Sequence, residues 1–258
     1  MRIHVLLRGF LCIALFGTGL MQRAHSETLV VLGDDKYYPV IYLDNGKPAG
    51  LLVDLLKRIS ARTGDDYHFR LSPWNRAYEL ARQGEGAIVG ISKTPERLEK
   101  FDYSDPVFKD DVQIVVHKAK AFAFEKLSDL RGKAIGGVLG ATYGEAVDTA
   151  VTEGVFSLNR HSSQAIQLRA VLAGRLDGAL VGNGMAGYQS VLASTPELSA
   201  QKADLQVLAP PLVSKSLYLA AAKVMDSNAA IERFNKALRD LQKAEAVKPH
   251  SPEAAPRR

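Results

Sequence analysis

Cysteine is almost absent from this chain of 258 residues, and the single one is Cys12. It lies inside the N-terminal apolar run, so the chain beyond residue 26 has no disulfide framework to rely on. No small residue precedes Cys12, and cleavage of the lipoprotein kind is not expected there. Long apolar runs are missing as well. GFLCIALFGTGLM spans 13 residues before Arg23 interrupts it, short of the ~18 or more that a membrane helix needs. Arg2 and Arg8 precede that run and Ala24-His25-Ser26 follows it, the pattern of a signal peptide over residues 1–26, cleaved during export to the periplasm. Strong charge of one sign is a third absence. The formal net charge of +5 includes the three arginines of the leader, and without them it falls to about +2. No basic stripe with interleaved aromatics occurs, which excludes nucleic acid as a partner. Tryptophan occurs once, as Trp74.

What is present is an alternation of short apolar runs and amphipathic stretches. TLVVL (28–32), YHFRL (67–71), AIVGI (87–91), VQIVVHK (112–118), KAIGGVLG (133–140), VFSLN (155–159) and DGALVG (177–182) read as strands. LLVDLLKRISART (51–63) places Leu51, Leu55, Leu56 and Ile59 at helical spacing and stops at Gly64. Ser72-Pro73 opens a second helix, WNRAYELARQ, which Gly84 closes. TYGEAVDTAV, SSQAIQLRAVLAG and NAAIERFNKALRDLQKAEA complete the helices. Residues 247–258, VKPHSPEAAPRR, carry too little apolar surface to pack and read as a disordered tail.

Strand–helix alternation of this kind gives an α/β fold with largely parallel sheets. It occurs twice, before and after about residue 118, with no long or low-complexity linker between. Two small sheet lobes joined by extended strands are therefore expected. Ligands of open α/β sheets sit beyond the C-terminal strand ends, so two facing sheets make a cleft.

Three connections of the first half deliver polar groups to one rim of that cleft. DDKYYPV supplies Asp34 and Tyr37, SPW supplies Trp74, and AIVGISKTPER supplies Gly90, Ser92, Thr94 and Arg97. Thr94-Pro95 is a helix start, with threonine as N-cap and proline at the first helical position. Arg97 then falls in the first turn, where the helix dipole opposes a cation by roughly 0.3–1 kcal/mol. The arrangement becomes favourable when a carboxylate or phosphate sits between the guanidinium and the helix N–H groups. Blander readings stand beside this one. Arg97 has Glu96, Asp102 and Asp105 as surface partners, Tyr37 and Trp74 serve equally as packing, and Thr142 with Glu145 forms a T-x-x-E capping box.

The order of motifs goes further than any one of them. D-x-x-Y-x-P from Asp34, G-x-x-x-D-L-L from Gly50, W-x(9)-G from Trp74, G-x-S-x-T-x-x-R from Gly90 and F-x-Y-S-x-P from Phe101 follow one another. L-x-x-L-R-G-K-x-x-G-x-x-x-G-x-T ends on Thr142, and G-R-L-D-G-A-L-V and F-N-K-A-L-R-D-L come later. Over about residues 28–245 the chain resembles the bacterial extracellular solute-binding proteins of the polar amino-acid type, periplasmic receptors of ABC importers. The resemblance implies two lobes joined by two crossover strands, with lobe 1 at 27–115 and 209–246 and lobe 2 at 116–208. It implies a monomer that needs no cofactor or metal, closes over a small carboxylate ligand and hands it to an ABC permease. Tyr37 and Trp74 would sandwich the ligand. Arg97 would grip its carboxylate, helped by Ser92, Gly90 and, from lobe 2, Thr142. Asp34 would meet polar or cationic ligand groups.

Two departures accompany the resemblance. Receptors of this kind carry an aspartate for the α-ammonium just after the L-D-A-A-L-x strand, where this chain has Gly182 followed by Asn183. The aspartate usual after W-x(9)-G is Gly86. Either Asp34 or Asn183 replaces the lost acid, or the ligand lacks a free α-ammonium. An enzyme on the same fold, dehydrating a cyclic carboxylate, and a sensing module without an importer are the alternative functions.

Overall fold

A computed structural model describes residues 27–246; the expected signal peptide and the expected tail lie outside the described residues. Lobe 1 opens with β1 (Thr28–Asp34) and a small meander of β2 (Lys36–Tyr37), β3 (Ile41–Asp44) and β4 (Lys47–Ala49). It continues through α1 (Leu51–Thr63), β5 (Asp66–Ser72), α2 (Trp74–Arg82), β6 (Ala87–Ile91), α3 (Pro95–Lys100) and β7 (Phe101–Tyr103). β8 (Phe108–His117) crosses into lobe 2, which holds β9 (Ala134–Val138), α4 (Glu145–Thr152), β10 (Ser157–His161) and α5 (Gln164–Leu172). β11 (Gly178–Val181), α6 (Gly184–Ala193), α7 (Pro196–Ala200) and β12 (Leu205–Val207) follow. β13 (Val213–Ala222) returns to lobe 1, and α8 (Asn228–Ala246) ends the described chain against α1.

The sheets are parallel wherever strands alternate with helices. β1 pairs in parallel with β5 and β6 in lobe 1, and β9 with β10 and β11 in lobe 2. Outside the β2–β4 meander, the antiparallel pairings belong to the two crossover strands. β8 and β13 pair with each other from Phe108↔Leu217 to Val112↔Val213. Beyond that stretch β8 joins β11 and β12, while β13 joins β6 and β7. β8 thus ends the lobe 2 strands and β13 the lobe 1 strands, and their mutual pairing joins the two lobes, which is why the sequence shows no floppy tether. Each lobe has its own buried apolar core: Val31, Leu56, Ile59, Phe234 and Leu238 in lobe 1, and in lobe 2 two clusters, one with Ile114 and Ile135 and one with Leu168 and Val171.

Several local expectations need correction. The buried face of α1 is Leu52, Val53, Leu56 and Ile59; Leu51 is half exposed, because the stripe is turned by one residue from the leucine spacing. Thr142 does not cap a helix: α4 starts after Gly144, and the Thr142 hydroxyl instead binds Asp148 Oδ2 and accepts from Gly144 N–H. The meander and α6 lie outside the expected elements. Strands of two to four residues are too short to show a period, and Gly184 and Gly187 lower the intrinsic helix propensity of α6.

Candidate functional site

The C-terminal ends of the strands in the two sheets face one another across the β8–β13 pair. Between them lies a cleft with about 520 Å³ of atom-free space, its mouth included. Asp34, Tyr37, Trp74, Gly90, Ser92, Arg97, Thr142 and Gly182 all line it. Asn183 does not. It sits in the left-handed region at φ 60° as N-cap of α6, and its backbone N–H is committed to Asp110 Oδ1 at 2.7 Å.

Arg97 is buried, not paired at the surface. Thr94 caps α3 as its sequence suggests, its Oγ1 accepting from Arg97 N–H at 3.2 Å. The guanidinium turns back to the end of β6: Nη1 donates to the carbonyl and hydroxyl of Ser92, both at 3.2 Å. Nη2 donates across the cleft to Gly140 O at 3.1 Å. The Tyr78 ring lies beneath it, 4.8 Å from Cζ. Every one of these acceptors is neutral, so the charge of Arg97 has no acidic partner among them. Gly90, next to last in β6, has φ 87°, a backbone conformation that only glycine adopts readily.

The aromatic groups approach from lobe 1. Trp74 is the first residue of α2 and stacks on Tyr78, with centroids 6.5 Å apart and planes 22° from parallel. It is both a core residue and a wall of the cleft, and its Nε1 has no hydrogen-bond partner within the protein. Tyr37 crosses to lobe 2 and places its ring where a side chain at Gly182 would stand. A methyl group on Gly182 would lie 2.8 Å from Tyr37 Cε2 and 2.9 Å from Cζ, and nearer still to Oη. Gly182 is glycine because a tyrosine from the other lobe fills its side-chain space. Burial, reinforced by Asp110, holds the Tyr37 phenol well above its ordinary pKa of 10.0, yet Oη has no partner in hydrogen-bonding geometry.

Two acids line the cleft. Asp34 ends β1 and is buried; its Oδ1 accepts from Lys36 N–H at 2.8 Å. Loss of water raises it from 3.8 to about 7, against the lowering effect of that hydrogen bond. Asp110, on β8, was not foreseen, nor was Lys215, directly opposite it on β13. Lys215 Nζ lies 3.9 Å from Asp110 Oδ2 and donates to Thr142 O at 2.6 Å. Burial pulls the lysine down from 10.5, while Asp110 opposes that fall. Their signal was a charge on the inward face of an alternating strand: Asp110 shares its face with Val112 and Ile114, and Lys215 shares its own with Leu217. Gln164, at the first turn of α5, also lines the cleft and leaves Oε1 unpartnered. Among the described residues, no cluster of His, Cys, Asp or Glu has the arrangement of a metal site.

A two-lobed cleft of this kind is matched by known proteins. The model of the bacterial extracellular solute-binding proteins, family 3, matches residues 29–249. The chain belongs to that family. This solute-binding protein is 23% identical over 235 residues to the "Probable amino-acid-binding protein YxeM" of Bacillus subtilis, covering 90% of this chain and 86% of that one. An ancestral arginine-binding protein bound to arginine has the same fold, with a TM-score of 0.70, 24% identity, and coverage of 84% of this chain and 93% of that chain. A histidine kinase sensor domain similar to periplasmic binding proteins has a TM-score of 0.72 at 24% identity, covering 87% and 94%. Proteins of the family bind solutes, and this receptor is a binding protein, not an enzyme. Two acids, Asp34 and Asp110, line the cleft, and it is family membership that argues against catalysis.

Proposed function

We propose that this solute-binding protein captures an amino acid, or a small carboxylate of similar build, in the periplasm and delivers it to an ABC permease as a monomer. The observation that carries the reading is Arg97: a buried guanidinium in an interlobe cleft, hydrogen-bonded only to neutral oxygens. A buried cation without a counter-charge is costly, and a ligand carboxylate supplies that charge through a bidentate contact. Ser92 and Gly90 border the carboxylate on lobe 1, and Thr142 borders it on lobe 2. Tyr37 and Trp74 stack on the rest of the ligand. Closure turns on the paired stretch Phe108–Val112 and Val213–Leu217, with lobe 1 before and after it and lobe 2 between.

A library of amino acids and small carboxylates tests this by thermal shift, because a ligand that binds only the folded protein stabilises it by mass action. At least one carboxylate raises Tm by several degrees and is confirmed by calorimetry. A library in which no carboxylate shifts Tm refutes the reading. A second reading, a sensing module without an importer, is favoured by the likeness to the sensor domain. Transport of the ligand in cells, present or lost on deletion of the chain, separates the two.

A further inference from the structure

The ionisable groups of the cleft do not balance in the way a zwitterionic ligand requires. The Arg97 guanidinium donates only to Ser92 O, Ser92 Oγ and Gly140 O. Asp110 has two polar contacts to basic or N–H groups: Oδ1 accepts from Asn183 N–H at 2.7 Å, and Oδ2 stands 3.9 Å from Lys215 Nζ. Lys215 in turn donates to Thr142 O at 2.6 Å and lies over the Tyr143 ring at 5.1 Å. The lysine ammonium therefore sits between the acid of the cleft and the Thr142 edge beside Arg97. Both side chains are nearly buried, at 16% and 5% exposure, and they occupy directly opposed positions on the crossover strands. They move with the strands that carry both lobes, so the pairing is built into the frame of the cleft.

We infer that Lys215 is a specificity-determining residue: its ammonium serves as the internal counter-ion of Asp110, so the cleft accepts carboxylates without a free α-ammonium. The class comprises 2-oxo acids, 2-hydroxy acids and N-acylated amino acids. The inference rests on the reading that Arg97 holds a ligand carboxylate. Its logic is a charge count. With Asp110 matched by Lys215, the cleft keeps one unmatched cation, Arg97, and Asp110 is not free to take a ligand ammonium. A ligand ammonium would displace Lys215 from Asp110 and meet its like charge. Asp34, the other acid, is burial-shifted towards the neutral form. Trp74 Nε1 and Tyr37 Oη add unpartnered donors, which suit the carbonyl or hydroxyl oxygens of such ligands.

The test uses matched pairs of the full-length mature protein's candidate ligands: L-alanine with pyruvate, and L-glutamine, L-leucine and L-phenylalanine each with its 2-oxo acid and its N-acetyl derivative. Dissociation constants are measured by calorimetry at fixed pH on the wild type, Lys215→Met, and the double variant Lys215→Met/Asp110→Asn. In the wild type, the 2-oxo or N-acetyl member of at least one pair binds tenfold or more tightly than its amino acid. In Lys215→Met the order reverses, because Asp110 is freed to take the ammonium. In the double variant the members bind within about threefold, since both charges are gone. A wild-type preference for the amino acid, equal binding of every pair, or an unchanged order in Lys215→Met overturns the inference and leaves the Arg97 reading intact. Binding of no carboxylate at all overturns that reading, and this inference with it. Circular dichroism melts of both variants establish that they are folded, and the double variant keeps the test decisive if Lys215→Met alone is not.

Discussion

Gly182→Ala is the substitution whose effect follows most directly from the geometry. The added methyl would stand 2.8 and 2.9 Å from Tyr37 Cε2 and Cζ, well inside the ~3.5–4.0 Å optimum between carbon atoms. Tyr37 is carried by β2 of lobe 1 and Gly182 follows β11 of lobe 2, so the clash exists only when the lobes are closed. Overpacking of this size costs about 1–3 kcal/mol. That cost falls on the closed, ligand-holding state and not on the fold of either lobe. Ligand affinity should therefore drop by roughly 5- to 150-fold, since 1.4 kcal/mol is a factor of ten. The melting temperature of the ligand-free protein should move by less than ~2 °C, because the open form relieves the contact. Calorimetry reads the first quantity and a thermal melt the second. Tyr37→Ala in the Gly182→Ala background should recover part of the loss, as contacting residues are non-additive. Unchanged affinity, or a melt that falls in step with it, would refute the view that Tyr37 and Gly182 meet only across a closing cleft. Gly182→Asp meets the same ring and is expected to weaken binding, whichever ligand is used.

Arg97→Ala should weaken carboxylate binding by about 2–5 kcal/mol, and, because the guanidinium is buried with three hydrogen bonds, lower stability by roughly 1–3 kcal/mol as well. Arg97→Lys keeps the charge without the reach to both Ser92 and Gly140, so affinity should fall while stability falls less; equal binding by all three forms argues against the anchor. Trp74, the sole indole, should change its emission on ligand addition, and Trp74→Phe should cost about 0.5–1.5 kcal/mol of stacking; a saturating ligand that leaves both intensity and wavelength untouched removes it from the site. Asp34 binds its proton more tightly folded, at about 7, than at its ordinary 3.8. The folded state thus holds more protons between those values, and stability falls as pH rises from about 4 to 7, then levels off. Asp34→Asn should flatten that slope in urea titrations; an identical slope in both proteins contradicts the burial of Asp34.

The alternation of strands and helices, the helix starts at Thr94-Pro95 and the stop at Gly64 were readable in the chain, because they depend on residues close together. Periodicity, caps and glycine stops are local chemistry, and they led to an α/β fold in two halves. The rim residues Asp34, Tyr37, Trp74, Ser92 and Arg97 were readable for the same reason: each lies at the end of a parallel strand or in the connection that follows it, and all parallel strands of a sheet end on one edge. Tertiary structure decided what those residues meet. That Arg97 is buried against Gly140 depends on a contact between residues 43 positions apart. That Tyr37 fills the space of Gly182, and that Asp110 faces Lys215, depends on how two crossover strands bring the lobes together. Those contacts join residues from distant parts of the chain. No local pattern encodes such a distance, because it is set by the packing of whole sheets and not by the residues that happen to touch.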